Sequence, residues 1–120
     1  MNQDEINSLQ AALLEQRRRI LREVAESEAE LDYIHSEREP ELVERGQEAC
    51  REQLFQRLDE RGQREIEEID VALGRIADGA YGTCVDCDGP IGLPRLNARP
   101  AASLCIGCAR SREAQSQGSR

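Results

Sequence analysis

Four cysteines near the C-terminal end of the chain carry its most specific chemical pattern. Cys84 and Cys87 form one C-x2-C pair, Cys105 and Cys108 form a second, and seventeen residues separate the pairs. Two intervening residues let the chain turn back around an ion, so each pair can give two thiolates to one tetrahedral Zn²⁺. Four protein ligands leave no position for water, so we predict one structural zinc per chain and no hydrolytic chemistry.

Paired cysteines can also serve as a redox dithiol or as disulfides. A redox C-x2-C pair usually occurs once, near a βαβ pattern, and disulfides need an oxidising compartment. The first ten residues, MNQDEINSLQ, lack the basic and apolar regions of a signal peptide, and the sequence has no run of eighteen apolar residues that could span a membrane. We therefore favour zinc, and we expect a cytoplasmic protein with no membrane association.

No catalytic arrangement accompanies the cysteines. The sequence has no Ser-His-Asp set, no P-loop and no GxGxxG motif, so we predict that the protein is not an enzyme. We interpret Cys50, the fifth cysteine, as a packed apolar group and the single His35 as a solvated side chain. Tyr81, between Gly79 and Gly82, is expected to pack a helix end onto the zinc module.

The rest of the chain has the composition of long solvated helices. Charged residues make up 33% of it and aromatic residues 2%, which is too little apolar material for a large globular core. Two segments repeat apolar residues at helical intervals of three and four. The first stripe is Ile6, Leu9, Leu13, Ile20, Val24, Leu31 and Ile34, and the second is Leu54, Leu58, Gly62, Ile66, Ile69, Leu73 and Ile76.

We predict one helix from about Asp4 to Glu37 and a second from Glu41 to Asp78, which bury their stripes against each other. The predicted fold is mainly α: a long antiparallel coiled-coil hairpin over residues 1–80 with its tip near 38–44, a four-cysteine zinc finger with a short helix over 81–112, and a flexible tail over 113–120. A second helix of that length measures about 55 Å, so the hairpin should project from the finger.

Acidic and basic side chains are distributed unevenly on the two sides of Cys84, the first predicted zinc ligand. Residues 1–83 carry 21 acidic and 11 basic side chains, whereas residues 84–120 carry 3 and 5. A DNA-binding zinc-finger protein, one alternative, would set Arg95, Arg99, Arg110 and Arg112 against phosphates. An isoelectric point near 4.7 argues against that class, so we expect no direct sequence-specific DNA binding. A structural coiled-coil adaptor is the other alternative.

The expected tip of the hairpin is acidic. Glu41 and Glu44 lie three residues apart in the first turn of the second predicted helix, so they share a face. Acidic residues also favour helix N-termini through the helix dipole, which is the simpler explanation. The functional alternative is a carboxylate pair carried by a long arm into a basic or metal-containing recess.

The segment LGRIADGAYGTCVDCDGPIGLPRLNARPAASLCIGCA, residues 73–109, resembles the DksA/TraR zinc-finger family. The resemblance rests on an apolar helix end, a Gly-Tyr-Gly-x-Cys entry, an Ile, and an Arg-Leu-x-Ala-x-Pro segment before the second cysteine pair. The matching residues besides the cysteines are Arg75, Ile76, Gly79, Tyr81, Gly82, Ile91, Arg95, Leu96, Ala98 and Pro100. The helical hairpin upstream matches that family in layout.

This resemblance implies a bacterial transcription regulator. Members of the family bind RNA polymerase, insert the coiled coil through its secondary channel, and bring an acidic tip near the catalytic centre to modulate initiation, often together with ppGpp. It implies that Glu41 and Glu44 form the tip of this chain, where the family has Asp-x-x-Asp-x-Ala and this sequence has Gly46 in place of the Ala.

Other departures from the family pattern concern the nucleotide and the first cysteine pair. Glu68 and Ala109 stand where family lysines help to hold ppGpp, although Arg61 and Arg99 remain as possible polymerase or nucleotide contacts. We therefore expect a weak or absent ppGpp response. Asp88 replaces the usual Gly after the second cysteine, which Asp tolerates if the backbone there is left-handed.

Overall fold

The structure is a computed structural model that describes residues 1–36 and 45–118. Within those ranges the regular secondary structure is helical, and a single bridge between Thr83 and Pro90 is the only strand-like pairing. In chain order the helices are α1 (Gln3–Arg22), α2 (Glu28–Ser36), α3 (Arg45–Arg57), α4 (Glu60–Asp78), α5 (Leu93–Ala98) and α6 (Ile106–Gly118). No helix in the described part is both long and apolar enough to cross a membrane.

Helices α1 and α4 form an antiparallel pair that we call the stem. Arg17 of α1 lies beside Asp70 of α4, and Val24, just after α1, lies beside Arg57, just before α4, so residue numbers rise along one helix as they fall along the other. The stem core contains Leu13 from α1 and three α4 residues: Ile69, Ala72 and Leu73. This pairing and the finger that follows it confirm the predicted mainly α fold class.

The two long helices predicted from the sequence are each interrupted. The first ends at Arg22, and Ser27 starts α2 by accepting a hydrogen bond on its hydroxyl from the Glu30 amide at 3.1 Å. The second is divided at Asp59, whose carboxylate accepts the Gly62 amide at 2.8 Å. Short polar side chains at these positions cap a new helix instead of continuing the old one. The prediction of two continuous helices is therefore wrong.

Helices α2 and α3, which we call the arm, fold back onto the stem. Arg51 of α3 contacts the carboxylate of Asp70, nineteen residues further along the chain. In a continuous helix that separation spans about 28 Å, so the chain must reverse at the α3–α4 break. The molecule measures 45 × 40 × 22 Å, so the hairpin does not project 55 Å from the zinc finger as predicted. The core beneath the arm comprises Leu21, Tyr33, Ile34, Leu54 and Ile66.

The predicted tip, C-terminal tail and end of the second helix compare with the structure as follows. The tip near residues 38–44 lies outside the described residues. The C-terminal helix α6 extends to Gly118, so residues 113–118 are helical where we expected a flexible tail. At the other end of α4, Gly79 closes the helix with a left-handed backbone (φ 76°), as the position of this glycine after Asp78 predicted.

Candidate metal centre

The four predicted ligands come together in space. The Sγ atoms of Cys84, Cys87, Cys105 and Cys108 all lie within 4.8 Å of one another, and those of Cys87 and Cys105 are 3.9 Å apart. A tetrahedral zinc with Zn–S bonds of about 2.3 Å requires sulfur atoms about 3.8 Å apart. The cluster therefore has the composition and the spacing of a closed four-thiolate zinc site.

Each cysteine pair is held in a tight turn by its own backbone. In the first, the Asp88 amide donates to the Cys84 carbonyl at 3.0 Å, and the Cys84 amide donates to Gly89 at 2.8 Å. Asp88 has a φ of 60°, the left-handed conformation expected for a residue that replaces the family glycine. In the second, the Cys108 amide points at Cys105 Sγ at 3.4 Å as α6 begins.

Contacts outside the cysteines join the two turns. The Val85 amide donates to the Ser103 carbonyl at 3.0 Å. Arg112 of α6 reaches back to the first turn, where its Nε donates to the Asp86 carboxylate at 2.7 Å and its Nη2 donates to the other oxygen. This bidentate pairing holds the pKa of the Asp86 carboxyl below its ordinary value. Helix α6 is thereby fixed beside both cysteine pairs.

The surroundings of the thiols change the pKa values of Cys84 and Cys108 in opposite directions. Amide groups directed at its sulfur, that of Cys105 foremost, lower the pKa of the Cys84 thiol to about 6. The neighbouring sulfurs of Cys105, Cys84 and Cys87 raise the pKa of Cys108, because a second negative charge in the same cluster is unfavourable. A divalent cation among the sulfurs removes that repulsion. The donor set thus fits one Zn²⁺, which holds the finger together.

The finger is continuous with the stem. Leu9 of α1 belongs to the same core as Cys84, Ile91 and Leu96. Tyr81 packs against both this core and that of the stem, as its position next to the helix end predicted. Burial raises the pKa of its phenol to about 12. The start of α1 and the end of α4 therefore meet the finger at one end of the molecule.

The other predicted contact residues are dispersed. Arg61 is 84% exposed on α4 and pairs with Glu65 at 3.1 Å. Arg99, which follows α5, lines a cleft together with Glu65 and Glu68. Ala109 lines a neighbouring cleft that also includes Glu68 and Arg99. Glu41 and Glu44 lie outside the described residues.

Two residues for which we expected no chemical role lie where those interpretations place them. Cys50 packs against the core under the arm, where burial raises the pKa of its thiol. His35 is exposed on the last turn of α2.

Sequence reasoning missed two buried charged residues, one in the stem and one in the arm. Arg17 is 2% exposed and bonds Asp70 through its Nε at 2.8 Å. Glu30 is 4% exposed, and its carboxylate accepts a hydrogen bond from Arg57 at 2.7 Å. A signal for Arg17 exists, because Leu9, Leu13, Arg17 and Leu21 follow each other at intervals of four, which places the arginine on a buried face.

Comparisons with known proteins agree with this geometry. The profile of the prokaryotic dksA/traR C4-type zinc finger matches residues 79–114. The RNA polymerase-binding transcription factor DksA of Caulobacter vibrioides is 35% identical over 106 residues, which cover 88% of this chain and 74% of that protein. An uncharacterized protein of Aquifex aeolicus is 33% identical over 118 residues, which cover 97% of this chain and 81% of that one.

A solved structure extends the likeness to three dimensions. Transcription factor DksA2 from Pseudomonas aeruginosa matches with a TM-score of 0.64 and 31% sequence identity, over 98% of this chain and 89% of that one. The similarity therefore includes the helices that precede the finger as well as the finger itself.

Proposed function

Since this chain belongs to the DksA/TraR zinc-finger family, we propose that it is a bacterial transcription regulator that binds RNA polymerase directly. The observation that carries the proposal is the reach of the similarity to the Caulobacter polymerase-binding factor, which covers 88% of this chain. A zinc finger alone occurs in many proteins, whereas a finger joined to an antiparallel stem by a shared core is a specific architecture. Such a factor would act in the cytoplasm, where the polymerase is.

The finer part of the proposal concerns the route of binding. The helical hairpin, residues 1–80, enters the secondary channel of polymerase, and the finger, residues 81–112, stays outside. Glu41 and Glu44 then approach the active centre, where Mg²⁺ and basic groups attract carboxylates. Glu residues keep the charge of the family tip with one more methylene each. The chain modulates initiation without turnover of its own.

The clefts around Arg99 support a weak or absent ppGpp response. Two carboxylates, Glu65 and Glu68, share the first cleft with Arg99. In the second cleft, Arg95 donates to the Leu104 carbonyl at 2.8 Å and Arg112 is engaged by Asp86. A bound polyphosphate needs cationic donors free to pair with it, and the nearby carboxylates repel it. Arg61 and Arg99 are proposed to contact polymerase instead.

The same contacts speak against the DNA-binding alternative. Arg112 is held by Asp86, and Arg95 is directed toward a main-chain carbonyl within the finger. Two of the four arginines that would face phosphates are thus used internally, and the chain as a whole carries a net charge of −8. Direct sequence-specific DNA binding is therefore not expected.

A binding assay with purified bacterial RNA polymerase core tests the proposal. We expect the zinc-loaded chain to co-elute with core enzyme in gel filtration and to compete with a second protein of the family for it. Cys105→Ser, which breaks the zinc site, should lose binding, whereas Cys50→Ser, a cysteine outside that site, should keep it. Binding to promoter DNA but not to core enzyme would overturn the proposal.

A further inference from the structure

The breaks in the two long helices lie side by side. Nη1 of Arg57, the last residue of α3, donates to the carbonyl of Val24 at 3.2 Å, in the segment between α1 and α2. The same guanidinium bonds Glu30 at 2.7 Å and lies 3.6 Å from the Glu26 carboxylate. The α1–α2 break and the α3–α4 break thus lie at the same height along the hairpin. Because of this, α2 and α3 can turn as a unit about Glu23–Ser27 and Leu58–Asp59.

The apolar pattern nevertheless runs through these breaks. Leu54, Leu58, Gly62 and Ile66 follow at intervals of four across the α3–α4 break, as in one uninterrupted helix. In α2, Leu31 belongs to the first predicted apolar stripe but is 38% exposed in the folded arm. The sequence is therefore compatible with a second arrangement in which α2 and α3 extend α1 and α4 in line.

A polar contact between charged side chains holds the arm against the stem. Asp70 accepts a hydrogen bond from Arg17 at 2.8 Å within the stem and a second one from Arg51 of the arm. Arg51 is 45% exposed, so the contact made by the arm is accessible to water, whereas the partner Arg17 is buried. Exposed ion pairs contribute little to stability, so breaking the Arg51–Asp70 contact costs little free energy, and most of the cost of opening lies in the apolar core that arm and stem share.

We propose that the arm is a hinged device, that the folded arrangement is a self-inhibited state, and that Arg51 and Asp70 form its latch. The inference rests on the proposed function. In the folded state the arm and stem lie beside each other across a molecule of 45 × 40 × 22 Å, whereas two extended helices are only about 20 Å across. The extended hairpin is therefore the narrower form and the one suited to a narrow channel.

Opening has a cost that polymerase must offset. Leu21 and Ile66 of the stem share a core with Ile34 and Leu54 of the arm, and straightening separates these pairs. A partner that binds the open state better than the closed one shifts the population toward it, and the observed affinity falls by the fraction of molecules that are open beforehand. Variants that open the arm should therefore bind polymerase more tightly.

Two substitutions act on separate parts of the device. Arg51→Gln removes the latch and leaves the Arg17–Asp70 pair in place. Asp59→Ala removes the cap that starts α4 and puts a strong helix former at the hinge, which favours a continuous helix. Arg64→Gln is the control, because Arg64 is exposed on α4 and the substitution changes charge equally.

Pulsed electron paramagnetic resonance reports the arm position directly, with spin-labelled non-natural residues in place of the exposed Glu52 and Ala77. The latch contact limits this pair to about 25 Å, whereas a continuous helix separates it by about 37 Å. We expect the parent and Arg64→Gln to give the short distance, and both test variants to add the long one with undiminished helical circular dichroism. Their Kd for polymerase core should fall by about threefold or more.

The outcomes separate the hinge from the proposed function. Unchanged distances in both variants would overturn the hinge, and so would long distances accompanied by loss of helix, because the arm would then be unfolding. Longer distances with an unchanged Kd would overturn self-inhibition. Longer distances in a chain that binds no polymerase would support the hinge and overturn the proposed function.

Discussion

The hydroxyl of Tyr81 donates a hydrogen bond to the main-chain carbonyl of Pro100 at 2.8 Å. Tyr81 follows the end of α4, and Pro100 precedes the second cysteine pair, so this bond closes a loop that contains the first pair. Pro100 is buried. The bond therefore links the orientation of the finger to the end of the stem.

Replacing Tyr81 by Phe should lower the free energy of unfolding by about 1 kcal/mol, because the Pro100 carbonyl loses its donor while the packing of the ring is kept. Urea denaturation followed by circular dichroism measures this. The zinc content should stay at the parent value, since Tyr81 is not a ligand. A stability equal to that of the parent would show that the carbonyl finds another donor.

We expect one zinc per chain, because the cysteines complete a tetrahedral shell and the finger core contains few apolar residues besides them. Elemental analysis of protein purified without chelator should give a ratio near one for the parent and for Cys50→Ser, and a ratio near zero for Cys105→Ser. Chelation should also loosen the start of α1, since Leu9 packs on Cys84. A folded finger without metal would contradict this expectation.

The arm should become less stable in acid. The hydrogen bond from Arg57, followed by that from the Glu26 amide, holds the pKa of the Glu30 carboxyl below its ordinary 4.5. A lowered pKa stabilises the fold above the pKa of the unfolded chain, and that contribution is lost as pH falls through the folded value. The stability difference between the parent and Glu30→Gln should thus be full at neutral pH and shrink below 4.5.

Comparing the two proteins at each pH cancels the effect of acid on zinc, which both bind equally. Asp32→Gln is the matched control, because Asp32 is an exposed carboxylate on the same helix. Urea titrations at pH 7 and in acid measure the difference. If it were the same at every pH, the Glu30 carboxylate would not be what holds Arg57.

The sequence predicted the finger better than the path of the helices. Cysteine spacing restricts geometry so strongly that Cys84 and Cys108 could be placed on one ion from their positions alone. Helical periodicity carries no such restriction. The same spacing lets Leu54 and Ile66 lie on the apolar side of one straight helix or pack into one core when the chain reverses between them. The breaks depend on caps at Ser27 and Asp59, and these compete with helix continuation by a margin too small to judge from sequence.

The ppGpp response should appear when the two departures from the family are reversed. Glu68→Lys combined with Ala109→Lys places two cations in the cleft lined by Glu68, Arg99 and Ala109. The assay uses a polymerase variant without a ppGpp site of its own, so that any response comes from this chain. We expect ppGpp to leave the parent's effect on transcription nearly unchanged and to strengthen that of the double variant several-fold. A strong response of the parent would contradict our interpretation of this cleft.

Glu41 and Glu44 offer the clearest test of how the chain acts on polymerase. If they only favour a helix start, replacing both by Gln should cost a few tenths to about 1 kcal/mol per site in stability and leave regulation alone. If they act near the catalytic centre, the double variant should still bind core enzyme, because the finger and the rest of the hairpin supply most of the contact, yet no longer change open-complex lifetime. We expect the second result.

The control for the tip variant is Glu48→Gln together with Glu52→Gln, which removes two acids further along α3 and should regulate as the parent does. A Glu41/Glu44 variant that binds polymerase and still alters open-complex lifetime as the parent does would assign these acids to helix capping.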